Sequence, residues 1–329
     1  MRSSHLVGAI ALLALVATSV GARAQETLKA DTLKVDTLKV AIGQRGVYEN
    51  SVSELGQGAG LFRKRGLALD ILYTQGSGET QQAVISGAVD IGIGVGTSGA
   101  LAAFAKGAPV RVIGATMRGA YEYWYVPADS PIRSFKDADG RTVAYSTAGS
   151  STNLIVLALA KHYGVTVKPT ATGSPVATLT QTMTGQVDVG WSAAPIGVAQ
   201  LAEGRIRIVA RGNDVPAFAN QTVRFVLANA DALAKRPEVF RRYMQAYRDT
   251  LDWMYADPAS LKAYAAWAGV SESVARRTRD DFIPKDNANP DKIAGLDAAM
   301  ADAVAYKFLT APLTADQLGT LIQLQEPIK

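Results

Sequence analysis

The sequence contains no cysteine, and two of its 329 residues are histidines. The lack of cysteine excludes disulfides, thiolate metal sites, a cysteine nucleophile and the lipid anchor that bacterial lipoproteins carry on cysteine. His5 lies in the first 24 residues, which leaves His162, near the end of a predicted helix, in the rest of the chain. This composition offers no histidine spacing typical of a metal site and no Ser/His/Asp triad.

Phosphate-binding glycine loops are missing as well, although the chain has 30 glycines. No P-loop is found, and Gly-Ile-Gly-Val-Gly at 92–96 has the wrong spacing for a dinucleotide-binding loop. A protein that only binds its ligand needs none of these groups. We therefore predict that the protein is not an enzyme and has no catalytic residue, no metal and no cofactor.

Clusters of one charge sign are scarce. The formal net charge is +5, and two of the positive charges, Arg2 and Arg23, lie in the N-terminal segment described next. The short basic groups at 63–65 and 276–279 are flanked by apolar helical positions, so we interpret them as solvated helix faces. We therefore expect no nucleic-acid partner.

The sequence has one long apolar run, Leu6–Val20. Arg2 precedes this run and Ala-Arg-Ala at 22–24 follows it, which is the pattern of a secretory signal peptide. The alternative is a membrane anchor, but the run is shorter than the roughly 20 apolar residues that a spanning helix needs. We predict a cleavable signal peptide at 1–24, cleavage after Ala24, a periplasmic location and no membrane insertion of the mature chain.

The most informative pattern present is a repeat. Gly-Ala-Val-Asp-Ile-Gly at 87–92 returns as Gly-Gln-Val-Asp-Val-Gly at 185–190, with Asp90 and Asp188 in matching places. Each copy has the pattern of a helix end, a turn, a strand, a second helix and another strand. Alternating strands and helices predict parallel βαβ units. The separation of about 100 residues is far longer than a solenoid period of about 20–50 residues.

We therefore predict an α/β fold with two Rossmann-like α/β lobes, joined by two crossover strands and separated by a ligand cleft. The predicted boundaries are a flexible leader at 25–37, lobe one at 38–121, lobe two at 122–221, and a return to lobe one plus a helical tail at 222–329. Tyr121–Val126 and Thr222–Asn229 are the predicted crossover strands, which together make a hinge. A helix is predicted over 51–65, and helices after Ala230 break at Pro237, Pro258 and Pro284. We expect the helical tail to pack on lobe one.

With these motifs the chain resembles the periplasmic solute-binding proteins of ABC importers, and within them the group that handles nitrate, alkanesulfonates, taurine and thiamine precursors. The resemblance rests on the Gly-x-Val-Asp-x-Gly turn at 87–92, the segment 103–110, the entry into lobe two at 135–141 and the Ser-Ser-Thr loop at 150–152. It covers residues 38–229 well and the helical tail loosely. It implies a type II periplasmic binding fold, in which two α/β lobes close on a ligand.

Ligands of open α/β sheets lie at the carboxyl ends of the strands, so each strand end supplies candidates. After the first strand these are Gln44 and Arg45, with Tyr48 as a wall. Gly96, Thr97 and Ser98 stand between a strand and a helix, where exposed N–H groups can hold an anion, although such residues also serve as plain helix caps. The matching loop of lobe two contributes Gly149, Ser150, Ser151 and Thr152.

Two further strand ends carry large side chains. Arg118 is a candidate for bidentate pairing with a carboxylate or sulfonate, against the alternative of a surface salt bridge. Trp191 is a candidate for stacking on an apolar part of the ligand, against the alternative of core packing. Asp90 and Asp188 recur, but each enters a strand at the end opposite the predicted cleft, so we interpret them as structural.

The expected function is that of a monomeric periplasmic receptor of an ABC import system. It would capture a small organic anion, a sulfonate or a carboxylate with an apolar or aromatic part, by lobe closure. Its partners would be an inner-membrane ABC permease and the cytoplasmic ATPase of that permease. Two alternatives stay open: a ligand sensor that signals to a membrane partner, and an enzyme related to thiamine-precursor synthesis, whose relatives use cysteine and histidine chemistry.

Overall fold

A computed structural model describes residues 35–328. The predicted signal peptide at 1–24 and the leader up to residue 34 lie outside the described residues. The strands, in chain order, are β1 (Asp36–Gly43), β2 (Leu67–Thr74), β3 (Ile91–Gly96), β4 (Val110–Arg118), β5 (Tyr123–Pro127), β6 (Thr142–Tyr145), β7 (Lys168–Ala171), β8 (Gly190–Ser192), β9 (Ile206–Arg211) and β10 (Thr222–Asn229).

Twelve α-helices are found in the same part of the chain. They are α1 (Val52–Gly58), α2 (Ser77–Ile85), α3 (Thr97–Ala105), α4 (Ser151–Tyr163), α5 (Pro175–Met183), α6 (Val198–Ala202), α7 (Ala230–Lys235), α8 (Pro237–Ala256), α9 (Pro258–Ala268), α10 (Glu272–Arg277), α11 (Leu296–Ala305) and α12 (Ala315–Leu321). A π-helical turn, Thr278–Phe282, follows α10 directly. None of the helices within 35–328 is both long and apolar enough to cross a membrane.

The first sheet has the strand order β2-β1-β3-β10-β4. β1 is parallel to β2 and β3, whereas β10 is antiparallel to both of its neighbours. Every residue of β3 and β10 is buried, and the edge strand β2 is partly exposed. This follows from sequence, since β3 and most of β10 are apolar and both strands are covered on both faces.

The remaining strands repeat that arrangement. β5 lies between β8 and β9 and is antiparallel to both, while β6 is parallel to β7. An isolated parallel bridge joins Val143 of β6 to Val189, directly before β8. The resulting order, β7-β6-β8-β5-β9, matches that of the first sheet with β5 in the place of β10. We call the parts built on these two sets of strands the first lobe (β1–β4, β10) and the second lobe (β5–β9).

The two connections between the lobes are hydrogen-bonded to each other. The Gly119 N–H donates to the Gln221 carbonyl at 2.9 Å, and the Gly212 N–H donates to the Glu122 carbonyl at 2.9 Å. The Ala120 N–H donates to Asn213 Oδ1 at 2.8 Å. The chain thus passes between the lobes through one narrow, paired segment, which is the geometry of a hinge.

The observed elements follow several of the predicted signals closely. β10 has the predicted bounds, Thr222–Asn229, and Pro237 and Pro258 each stand at the first position of a helix, where proline fits because its missing N–H has no intrahelical partner. α4 is capped by Ser150, whose Oγ accepts from the Asn153 N–H at 3.1 Å, and it ends at Gly164 in the left-handed region. Strand bounds, helix starts and helix ends of this kind depend on residues that are close in sequence, so they can be predicted from the sequence.

Two predicted elements are corrected. The helix expected over 51–65 stops at Gly58, and a short 3-10 turn covers Arg63–Arg65. Gly60 has a φ of +75°, which ends the helix because a left-handed residue cannot continue it. β1 starts at Asp36, so Thr37, which was assigned to the leader, already pairs with β2.

Candidate functional site

The lobes meet at the segments that follow β2, β3 and β6. The Gly78 N–H in the first turn of α2 donates to Thr147 Oγ1 of the second lobe at 3.0 Å. A β-carbon on Gly96 would lie 2.8 Å from both the Gly149 carbonyl oxygen and the Ser151 nitrogen, which is closer than any β-carbon can approach. The glycines at this joint therefore allow the two backbones to touch.

The structure brings the predicted hydroxyl residues of both lobes to this joint, but most of these hydroxyls bond within the protein. Thr97 Oγ1 donates to the Thr222 carbonyl at 2.8 Å, Ser150 caps α4, and Thr152 Oγ1 accepts from the Ser146 N–H at 2.9 Å. Because Gly96 and Gly149 are in contact, these facing helix ends enclose no cavity between them. Their direct contact with an anion stays a prediction.

Ser151 differs from its neighbours because it reaches a buried cluster of charges. Its Oγ donates to Glu122 Oε1 at 3.0 Å. Glu122 lies on the hinge segment that leads into β5, and Arg224 of β10 contacts the same oxygen through Nη2 at 2.7 Å. Arg224 Nη1 bonds to Glu49, which lies in the 3-10 turn after β1. We call Glu49, Glu122 and Arg224 the buried charge cluster.

The buried charge cluster is almost fully shielded from solvent. The side chains of Glu49, Glu122 and Arg224 are 4%, 1% and 7% exposed. Burial raises the pKa of Glu122 to about 7, and hydrogen bonds from its own backbone and from Ser151 oppose part of that rise. Burial lowers the pKa of Arg224 to about 10. Both shifts have the same cause, since a low-dielectric site penalises each charged form.

Several polar atoms at this place have no partner among the described residues. Buried polar groups are almost always hydrogen-bonded in folded proteins, so such atoms mark a place that a ligand or water completes. Around the buried charge cluster the unpartnered atoms are Glu49 Oε2, Asn50 Oδ1, Ser98 Oγ, Glu122 Oε2 and Arg224 Nε. They come from the first lobe and the hinge segment, and second-lobe residues face them across the adjoining cavities, which makes this place the best candidate for a ligand site.

Two cavities adjoin the cluster and share three lining residues, Tyr121, Glu122 and Phe282. The outer cavity has a volume of about 350 Å³, and its other lining residues are Ala120, Arg211, Asn213, Arg277 and Asp281. The inner cavity has a volume of about 10 Å³, and its other lining residues are Val47, Glu49, Ala193, Ala194, Arg224 and Ile283. The outer cavity is large enough for a small organic ligand.

Aromatic and basic groups are neighbours in the outer cavity. The Arg211 guanidinium carbon lies 5.8 Å from the centre of the Phe282 ring, within range of a cation–π contact. Arg277 is half-exposed and pairs with Asp281 at 3.4 Å. Tyr121 Oη accepts a hydrogen bond from Asn287 Nδ2, which ties the helical tail to the hinge. This cavity can therefore hold an apolar ring and an acidic group side by side.

Two predicted site residues belong to the core instead. Trp191 is fully buried among apolar side chains of the second lobe, and its Nε1 donates to Thr172 Oγ1 at 3.2 Å. Tyr48 is 2% exposed and packs edge-on against Tyr255 and Tyr264. The predicted stacking of Trp191 and the predicted wall at Tyr48 are corrected, because both side chains are enclosed by protein and line neither cavity.

The other strand-end candidates lie at the surface around the joint. Gln44 has a left-handed φ of +60°, and the exposed Arg45 stands over the Tyr73 ring. Arg118 donates to Asn287 Oδ1 through Nε and Nη2, at 2.9 and 2.6 Å. None of the three lines either cavity, so their contact with a ligand stays a prediction.

Asp90 and Asp188 have the structural role that was predicted for them. Asp90 Oδ2 accepts from the Lys39 N–H at 2.8 Å, and Asp188 Oδ2 accepts from the Thr142 N–H at 2.8 Å. Lys39 and Thr142 stand at matching places on β1 and β6, so each aspartate ties its turn to the neighbouring strand. Within residues 35–328, no group of three or more histidine or acidic side chains could hold a metal ion.

The residues that the sequence analysis missed form the centre of the candidate site. Arg224 stands in the otherwise uncharged and fully buried strand Thr-Val-Arg-Phe-Val-Leu-Ala-Asn. Glu122 stands between Tyr121 and Tyr123 in an aromatic segment. A charged residue inside an apolar strand is rarely buried unless it is paired, and this signal was available in the sequence. Phe282 and Arg277 carried no comparable signal.

The fold that this site sits in is that of the periplasmic binding proteins. The alkanesulfonate-binding protein of Xanthomonas axonopodis pv. citri, in a structure with bound MOPS, matches with a TM-score of 0.73 and 21% identity. The match covers 88% of this chain and 98% of that one. A periplasmic nitrate-binding protein from Synechocystis matches with a TM-score of 0.68 and 10% identity, over 88% of this chain and 85% of that one.

Sequence comparison identifies the family. Residues 55–261, more than half of the chain, match the family described as "NMT1/THI5 like". The chain belongs to this family. A 4-amino-5-hydroxymethyl-2-methylpyrimidine phosphate synthase from Aspergillus parasiticus is 26% identical over 223 residues, which are 63% of this chain and 63% of that protein. The chain thus spans less than two thirds of the length of the curated relatives that it matches.

Proposed function

We propose that the protein is a periplasmic receptor of an ABC import system, which captures a small organic ligand between its lobes and delivers it to a membrane permease. One observation carries the proposal: unpartnered buried polar atoms of Glu49, Glu122 and Arg224 lie beside two cavities that residues of both lobes line, among them Ala193, Ala194 and Arg211 of the second lobe. A site assembled from both sides of a hinge changes with lobe closure, which suits capture and release.

The ligand proposed for the outer cavity is an organic anion with an aromatic or apolar part. Arg211 and Arg277 supply positive charge for a sulfonate or carboxylate, and Tyr121 and Phe282 supply the apolar walls. A few charge-assisted hydrogen bonds and one aromatic contact are enough for micromolar affinity, which is about −8 kcal/mol.

The test is a thermal-shift screen of the chain without residues 1–24 against sulfonates, aromatic carboxylates, nitrate and pyrimidines, with calorimetry on each hit. We expect at least one small solute to raise the melting temperature and to bind with a Kd near micromolar. A blank screen, together with purified protein that carries no small molecule by native mass spectrometry, would refute the receptor function.

Delivery to a permease is a separate step and needs its own test. The chain is added, with a ligand from the screen, to proteoliposomes that contain any ABC permease and ATPase found to be encoded beside its gene. We expect ATP hydrolysis to rise with the liganded chain and not with ligand alone. If no permease is encoded nearby and a membrane kinase is, the sensor function is favoured instead.

A second candidate is catalysis, and the relatedness to pyrimidine phosphate synthases favours it. Against it, the described part of the chain lacks cysteine, and its one histidine, His162, lies at the end of α4 beside Tyr163. The discriminating measurement is mass spectrometry of the ligand before and after long incubation with the protein. A receptor returns the ligand unchanged, whereas an enzyme returns a product.

A further inference from the structure

Building on the proposed receptor function, we propose that the inner cavity binds a positively charged nitrogen of the ligand, held between Glu49 and Glu122. The ligand would then be an organic acid that also carries an ammonium or another protonated amine. The nitrogen would point inward to the buried charge cluster, and the acid group would remain in the outer cavity beside Arg211 and Arg277.

The charge balance of the cluster supports a cation. Two carboxylates, Glu49 and Glu122, share one guanidinium, Arg224. Within residues 35–328, no other basic side chain forms a salt bridge with either carboxylate. A buried carboxylate without a compensating partner is strongly unfavourable, so the cluster gains from one more positive charge or proton.

The arrangement of atoms supports the same conclusion. Arg224 pairs with Oε1 of Glu49 and with Oε1 of Glu122. Oε2 of each glutamate is buried and has no hydrogen-bond partner among the described residues. Both glutamates line the inner cavity, whose volume of about 10 Å³ is close to the space that one water molecule needs. An ammonium nitrogen has about this size, and it can donate to two carboxylate oxygens at once.

An acid group fits the inner cavity poorly. Its oxygens would face two carboxylate oxygens there, while Arg224 offers one unpartnered donor, Nε, because both of its terminal nitrogens are engaged. Apart from Tyr121, the remaining wall is apolar, with Val47, Ala193, Ala194, Phe282 and Ile283. The two cavities therefore differ in the charge they accept, and the ligand is expected to be dipolar.

The experiment compares matched ligands on the chain without residues 1–24. The probes are 4-(aminomethyl)benzenesulfonate against 4-ethylbenzenesulfonate, and 4-(aminomethyl)benzoate against 4-ethylbenzoate. Within each pair, size and acid group are kept and the ammonium is replaced by a methyl group. Affinities are measured by calorimetry for the unmodified protein, Glu122→Gln, Glu49→Gln and the control Glu203→Gln. Glu203 is exposed and pairs with Arg205 at the surface.

We expect the aminomethyl member of at least one pair to bind about tenfold or more tightly than its ethyl partner, as a charge-assisted hydrogen bond implies. Glu122→Gln and Glu49→Gln should each reduce this preference, and Glu203→Gln should leave it unchanged. The melting temperature of each variant shows whether it is folded. The comparison on the unmodified protein stands even if a variant is not.

Other outcomes overturn the inference. Equal binding within both pairs, or a preference that survives in both glutamine variants, refutes the cation site and leaves the receptor function standing. The cation site is also refuted, and the receptor function stands, if simple anions bind in the screen but neither aminomethyl probe binds. If no probe binds and the solute screen is also blank, both the inference and the receptor function fail.

Discussion

Gly96 and Gly149 stand face to face across the joint between the lobes, with no room for a β-carbon on Gly96. Gly96 ends β3 of the first lobe, and Gly149 precedes the cap of α4 in the second. The contact therefore fixes how closely the lobes can approach. It also explains why a glycine is needed at 96, where φ is −58° and any residue is conformationally allowed.

Gly96→Ala should hold the lobes apart, because the added methyl carbon would lie 2.8 Å from backbone atoms of the second lobe. We expect a larger radius of gyration by small-angle X-ray scattering in the presence of ligand, and at least tenfold weaker binding. Gly319→Ala is the matched control, since its β-carbon meets nothing within 4 Å. Unchanged affinity in Gly96→Ala would show that closure does not use this contact.

Glu122 should make stability depend on pH. Its pKa is raised from 4.5 to about 7 by burial, so between these values the folded protein holds a proton that the unfolded chain has released. The free energy of unfolding should therefore fall as pH rises from about 4.5 to about 7, by at most about 1.4 kcal/mol per pH unit. Glu122→Gln cannot ionise and should lose this dependence.

Urea denaturation at several pH values between 4.5 and 7.5 checks that effect. The quantity of interest is the difference in unfolding free energy between Glu122→Gln and the unmodified protein, which should shift in favour of the variant as pH rises. Glu203→Gln, at the surface, should keep the unmodified pH dependence. Parallel curves for Glu122→Gln and the unmodified protein would show that folding does not raise the pKa of Glu122.

Arg211 and Arg277 should bind the acid group of the ligand. The double variant Arg211→Gln, Arg277→Gln is expected to lower the affinity for a sulfonate found in the screen by about tenfold or more, because charge-assisted hydrogen bonds are lost. Both side chains are partly or fully exposed, so folding stability should change little. Arg205→Gln is the control, and equal loss of affinity in it would point to a general charge effect.

Substitution of Trp191 should lower folding stability and leave ligand affinity nearly unchanged, whereas substitution of Phe282 should lower ligand affinity. Trp191→Phe removes volume and a hydrogen bond from the core of the second lobe, so we expect a loss of roughly 1–3 kcal/mol in unfolding free energy with little change in affinity. Chemical denaturation and calorimetry measure the two quantities. A large loss of affinity in a folded Trp191→Phe protein would restore this side chain to the ligand site.

Phe282 lines both cavities and stands beside Arg211. Phe282→Ala should lower the affinity for aromatic ligands about tenfold or more, and should affect aliphatic ligands of the same acid less. Calorimetry with benzenesulfonate and a short alkanesulfonate compares the two. Equal losses for both ligands would mean that the ring shapes the cavity without stacking on the ligand.

The fold was largely predictable from local signals. The repeated Gly-x-Val-Asp-x-Gly turn marked two strands, β3 and β8, that hold the same place in two matching sheets, and the mostly apolar segment 222–229 gave β10 its bounds. The prolines at 237 and 258 marked helix starts. These features depend on residues that are near in sequence, so periodicity and capping are enough to locate them.

The site was predicted less well because its residues converge from distant parts of the chain. Trp191 was predicted as a ligand contact because it lies at the carboxyl end of a strand. That position alone could not show which face of β8 is covered by the second-lobe core. The burial of Arg224 and Glu122 could be predicted from the sequence, because Arg224 lies in a mostly apolar strand and Glu122 in an aromatic segment. The contribution of Phe282 was not, since it depends on how the helical tail docks on the hinge, about 160 residues after Tyr121 along the chain.

The hydrogen bond between Gly119 and Gln221 means that the chain leaves the first lobe and re-enters it at one point. The second lobe is therefore an insertion between β4 and β10, and its removal would leave all five strands of the first sheet in order. Such a joint permits the second lobe to be exchanged for another domain while the first lobe is kept. If the protein is the proposed receptor, its ligand preference can diversify by replacement of the second lobe, while β10 and the first-lobe loops are retained as the common half of the candidate site.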